Sequence, residues 1–193
     1  MPEILHSFFP PTPGRTHEAQ GPGAAFFALM VCAVQPKPCL WMSEKWQAEQ
    51  LDPRGIAPFF EPARLLFAHP KDHADTLASA EEALRSGAFG AVITQLSQPL
   101  TLFTGRRLLL AAQAGKCIGV FLIPEGAGSP SADTRWHCAP YFSSDDSTLH
   151  AWQLIKNKSG TLTTWVTRWD EQTRGIIVVS KAAERAGAAR PPD

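Results

Sequence analysis

Apolar residues in this chain gather in short runs separated by small, charged or Pro/Gly-containing stretches. Cys39–Ser43 (CLWMS), Leu65–Ala68 (LLFA), Phe89–Leu96 (FGAVITQL) and Cys117–Ile123 (CIGVFLI) are four to eight residues long and lack polar alternation. That is the signature of strands buried on both faces in a parallel sheet. Arg15–Ala19 reads as a first short strand, followed by the tight turn Gly21-Pro22-Gly23 and by Ala24–Val34, a helix apolar on nearly every side and therefore internal. Glu44–Gln50 reads as a short helix stopped by Asp52-Pro53, Asp75–Arg85 as an amphipathic helix ended by Ser86-Gly87, and Thr104–Ala114 as a further helix.

After the loop Pro124–Ser131 the pattern changes. Arg135–Phe142, His150–Lys156 and Thr163–Trp169 alternate and are rich in tryptophan, with Gly175–Ser180 as one more strand. Strands alternating with helices, then a run of strands, predict an α/β domain with a mostly parallel central sheet, helices on both faces and an antiparallel C-terminal extension. The Pro-rich residues 1–14 are expected to form an extended lead-in, residues 15–180 one domain, and residues 181–193 a flexible tail.

Composition narrows this picture. At 193 residues, 44% hydrophobic, the chain can bury one substantial core. Eighteen basic and eighteen acidic residues cancel, so attraction to nucleic acid or anionic membranes requires a local patch. The four cysteines form no CxxC pair, the opening Met-Pro-Glu has no signal-peptide pattern, and no apolar run approaches the roughly 20 residues of a membrane span. A cytoplasmic protein without a metal or cofactor is the expectation.

The first strand, turn and helix form the arrangement in which a phosphate-binding loop would sit, with backbone N–H groups aimed at an anion. Here the turn runs Gly21-Pro22-Gly23-Ala24 and continues into Ala25-Phe26-Phe27. A Gly-Lys-Ser/Thr sequence is missing, Pro22 removes a donor, and two phenylalanines stand where the ammonium and hydroxyl belong. The strand Phe89–Leu96 closes with Ile93-Thr94-Gln95 and offers no carboxylate for Mg²⁺. Glu44, just after a buried strand, is placed to polarise water or simply to favour a helix N-terminus. His69 and His73 have i, i+4 spacing, but the intervening Pro70 favours loop histidines over a metal pair. Nucleophilic catalysis has no motif to support it, so no catalytic residue is expected.

Six tryptophans remain, four of them in the late strands near basic residues. Arg135, Trp136, Trp152, Lys156, Lys158 and Arg168 form a candidate partner or DNA interface, because Trp and Arg dominate binding hot spots and basic-aromatic faces hold single strands. A tryptophan core under an ordinary charged face is the competing reading.

Several stretches bring a family into view. Gly14–Pro22 (GRTHEAQGP) followed by an apolar helix resembles the RecA segment leading into its ATP loop, shortened and stripped. Cys39–Glu44, Leu51-Asp52-Pro53 and Ala63–Leu66 are similar in order and spacing to the next RecA stretch, and Lys156-Asn157-Lys158 to a motif at its subunit interface. Glu82–Ile93, Arg106–Ala112 and Thr134-Arg135-Trp136 more narrowly resemble ImuA, a RecA-related accessory of bacterial SOS mutagenesis. The resemblance implies a RecA-like three-layer domain with a degenerate P-loop, Glu44 at the catalytic glutamate position and Thr94 at that of the Walker B aspartate. It implies a non-catalytic DNA-damage-response protein supporting translesion synthesis with an ImuB-like polymerase homologue, an error-prone polymerase and RecA, leaving DNA contact and self-association open. SulA, a related cell-division inhibitor that binds FtsZ, supplies the alternative role, and residual nucleotide binding a second.

Overall fold

The computed structural model describes residues 5–47 and 51–181. Nine strands form one mixed, mostly parallel sheet: β1 Thr16–Gln20, β2 Cys39–Met42, β3 Leu65–Ala68, β4 Ala91–Gln95, β5 Ile118–Leu122, β6 Thr134–Pro140, β7 His150–Asn157, β8 Thr163–Asp170 and β9 Gly175–Lys181. Their order across the sheet is β3-β2-β4-β5-β1-β6-β7-β8-β9. All pairings from β3 to β6 are parallel, and β7, β8 and β9 follow as antiparallel neighbours. The helices are α1 Ala24–Ala33, α2 Pro53–Ile56, α3 His73–Ser86 and α4 Leu102–Gly115.

Buried apolar side chains fall into two clusters, and successive strand residues alternate between them. Ile93 and Val120 join Phe27, Met30 and Val31 of α1 in the first cluster; Val92 and Phe121 join Leu84 of α3 and Leu108 of α4 in the second. A strand buried on both sides needs no polar residues, which explains the unbroken run at β4. Helix α3 begins at an Asp72 cap, whose carboxylate accepts Asp75 N at 2.9 Å, and α4 at a Thr101 cap, whose hydroxyl accepts Thr104 N at 3.1 Å.

Three expectations need correction. Glu44 does not start a helix: the segment turns at once, with Gln47 N donating to Glu44 O at 2.9 Å, and residues 48–50 lie outside the described residues. Asp52-Pro53 is a helix start, since Asp52 caps α2 by accepting Arg54 N at 2.9 Å and Pro53 sits in its first turn, where the missing N–H is harmless. The N-terminal segment, expected to run extended, makes a 3-10 turn at Leu5–Ser7 and buries Leu5 and Phe9 in the first cluster. Phe9 lies 5.0 Å from Trp152, so apolar burial outweighs the extended preference of the neighbouring prolines. The expected C-terminal tail lies outside the described residues apart from Lys181, the last residue of β9. Among the described residues no helix is long and apolar enough to cross a membrane.

Candidate functional site

In open α/β sheets, ligands settle beyond the carboxyl ends of the strands, where neighbouring connections diverge. Strand β1 stands between β5 and β6, so the turn after it occupies the position a phosphate cradle would need. Two of the turn's amides are already used. Gly23 N donates to Cys138 O of β6 at 2.8 Å, Ala24 N to Gly21 O at 3.1 Å, and Pro22 has no amide hydrogen.

The glycines serve contact with β6. At Gly21, where φ is +88°, an added Cβ would lie 2.6 Å from Cys138 O; at Gly23 it would lie 2.9 Å from Ala139 N. Backbone meets backbone there, with no gap for a phosphate. The two phenylalanines that follow are also engaged: Phe27 is fully buried, 5.1 Å from Trp136 and 5.0 Å from Trp152, and Phe26 stacks on His150. The positions that would carry an ammonium and a hydroxyl in an ATP site instead anchor the antiparallel half of the sheet.

Beside α1, at the ends of β2, β4 and β5, a cavity of about 150 Å³ is lined by Ala25, Trp41, Ser43, His69, Gln95 and Leu122. That is roughly half the lower bound for small-molecule sites, about 300 Å³. Next to it lies a polar cluster. Glu44 is buried; its Oε1 accepts Ser97 Oγ at 2.7 Å and its Oε2 accepts Trp46 Nε1 at 2.5 Å, while His73 Nδ1 stands 3.6 Å from Oε1. Burial raises the pKa of this carboxyl, but the donated bonds and the nearby imidazole outweigh it and hold it below the ordinary value. Ser43 Oγ and His69 Nδ1 are 3.2 Å apart. Thr94 is fully buried, and its hydroxyl has no partner among the described residues. With both oxygens of Glu44 bonded to side chains of the fold, the carboxylate is fixed in place as a buried acceptor.

The candidate interface residues are drawn mostly into the fold. Trp136 and Trp152 are fully buried in the first cluster, so neither can meet a partner. Arg135 Nε donates to Glu18 Oε2 at 2.8 Å and its Nη2 to Ser129 O at 3.0 Å. Lys156 Nζ donates to the carbonyls of Ser129, Pro130 and Ala132 at 2.7–2.9 Å, and burial lowers its pKa. Lys158 Nζ donates to Ser131 O at 3.0 Å. These cations clasp the loop between β5 and β6; they do not form a basic face. Arg168 remains exposed and pairs with Asp146 at 3.1 Å.

Sequence reasoning missed Glu18, Ser129 and Ser131. Glu18 is completely enclosed and accepts Ser129 N at 2.7 Å through Oε1, while the Ser129 and Ser131 hydroxyls are 2.7 Å apart. One signal was available: β1 reads Thr-His-Glu-Ala-Gln yet lies in the middle of the sheet with all five residues buried. Polar residues in such a strand require internal partners. No model of a known protein family matches the chain, and no curated protein matches it in sequence.

Proposed function

We propose that this chain is a RecA-like accessory protein with a closed nucleotide site, acting through protein contacts in the bacterial DNA-damage response as ImuA does. The first strand stands in the middle of the nine-stranded sheet with the turn and helix directly after it, and the two core clusters fit a three-layer reading with α1 in one outer layer and α3 and α4 in the other. The observation that carries the proposal is the Gly23 amide spent on Cys138 O at 2.8 Å, in a turn that lies flush on β6. A phosphate cradle needs such amides free. The positions that resemble ATPase residues, Glu44 and Thr94, are enclosed by the fold.

Affinity capture of the tagged full chain from cells after ultraviolet damage tests the role. Recovery of an ImuB-like polymerase homologue, with reduced damage-induced mutagenesis when the gene is deleted, is the expected outcome. Recovery of FtsZ, with filamentous growth on overexpression, would move the assignment to a SulA-like inhibitor.

A further inference from the structure

Helix α4 is apolar on two sides. Its inner side, with Gly105, Leu108, Ala111 and Ala112, is buried. Its outer side carries Leu102, Phe103 and Leu110 at 62%, 72% and 53% exposure. A helix that meets water turns charged and polar residues outward, and large apolar side chains gathered there mark a contact surface.

Leu102, Arg106 and Leu110 recur at four-residue intervals, with Phe103 one turn before Arg106, so a single ridge holds them all. Arg106 stands at its midpoint. Its side chain is exposed and makes no hydrogen bond, ion pair or ring contact among the described residues. The next residue is engaged: Arg107 lies over the Phe103 ring, 5.9 Å from the centroid, and pairs with Glu81 of α3, which also holds Arg85 at 2.7 Å. Neither α4 nor its cap Lys116 supplies a carboxylate, so nothing on the helix answers Arg106.

That free guanidinium narrows the occupant. Covering the ridge strips water from Arg106, and a buried cation without a counter-charge is costly. Whatever packs on Leu102 and Leu110 must therefore bring a carboxylate between its own apolar groups. A second copy of this face would set Arg106 against itself, because a two-fold axis through the ridge pairs its midpoints. Anionic membranes are held by clusters of about four to eight cations, against Arg106 and Lys116 here. A nucleic-acid backbone would lay its phosphates on leucines and gain the same two cations.

We propose that the outer ridge of α4 docks an acidic amphipathic helix of a partner protein. Apolar side chains of that helix pack on Leu102, Phe103 and Leu110, and a glutamate or aspartate between them pairs with the Arg106 guanidinium. This surface deepens the adaptor reading and rests on its premise of protein contacts.

Fluorescence polarisation with the full chain and a labelled helical peptide, three repeats of Leu-Ala-Ala-Leu-Glu-Ala-Glu, tests it. Saturable binding is expected, weakened about tenfold by Arg106→Glu and several-fold by Leu110→Ala. The same peptide with lysine for glutamate should bind only the Arg106→Glu variant. Leu162→Ala, exposed between β7 and β8, should leave the affinity unchanged, and thermal melts of each variant separate lost binding from lost folding. Equal affinity in folded Arg106→Glu, or no saturable binding below about 1 mM, overturns the proposal. Tighter Arg106-dependent binding to phosphatidylglycerol vesicles or to labelled oligothymidylate, or self-association lost in Arg106→Glu, would assign the ridge to that occupant and overturn it too. Undiminished recovery of an ImuB-like homologue from cells carrying Arg106→Glu would overturn this surface and leave the adaptor reading standing. Failure of the unaltered chain to recover it, with the peptide still bound, would remove the polymerase partner and support the surface.

Discussion

Glu18 on β1 and Arg135 on β6 meet through Oε2 and Nε at 2.8 Å, with the carboxylate fully enclosed. Ser129 N occupies the other carboxylate oxygen, so the pair ties the loop before β6 to the middle of the sheet. Removing one partner leaves a buried charge without compensation, which costs about 3–5 kcal/mol. Arg135→Met should therefore destabilise strongly in urea unfolding, and adding Glu18→Leu should recover part of the loss. A cycle with no coupling would contradict the pairing. Gly128→Ala should act through the same pair, because its Cβ would overlap the Arg135 guanidinium, 1.7 Å from Cζ.

Phe27→Ala should cost about 3–5 kcal/mol, since it empties the space between Trp136 and Trp152 that no neighbouring chain can refill. Leu102→Ala, at 62% exposure, should stay within about 0.5 kcal/mol. Equal effects in chemical denaturation would mean that Phe27 is not in the core.

His17 supplies a pH dependence. It is enclosed, with Nδ1 2.8 Å from Thr134 Oγ1 and Nε2 3.1 Å from Thr12 O, and burial lowers its pKa to about 4 despite the opposing pull of the Thr12 carbonyl. The unfolded chain takes up this proton near pH 6.5 and the folded chain only near 4. Stability therefore falls as pH drops through that window, by at most about 3 kcal/mol from this residue. His17→Gln should flatten the slope of unfolding free energy between pH 6.5 and 4; an unchanged slope would exclude His17 as its source.

Glu44 gives a second test, with the same sign but at lower pH. Its folded pKa is held down, so its contribution is present above the ordinary carboxylate value of 4.5 and is lost as pH falls through the folded one. Glu44→Gln should lower stability by about 1–3 kcal/mol at neutral pH, because the Ser97 hydroxyl and Trp46 indole N–H lose their charged acceptor. A melting temperature equal to that of the unaltered protein would show that those bonds do not hold the cluster.

Local rules made the strand and helix succession legible: β3 falls at Leu65–Ala68 as the pattern predicts, and the tight turn and apolar helix follow β1. Caps were harder, since Asp52-Pro53 reads equally as an end or a beginning until the chain on either side is placed. The site was the least legible. Arg135 and Glu18 are 117 residues apart, so nothing local marks the arginine as internal. Tryptophans in alternating strands look alike whether they face a partner or a core; Phe27 decides it, reaching them from α1.

The central claim is that the turn after β1 lies shut against β6. Isothermal titration of the purified full chain with ATP and Mg²⁺, alongside a phosphate-release assay, reads this directly. No saturable heat and no turnover are expected; stoichiometric, magnesium-dependent binding abolished by Gly23→Ala would contradict a closed turn.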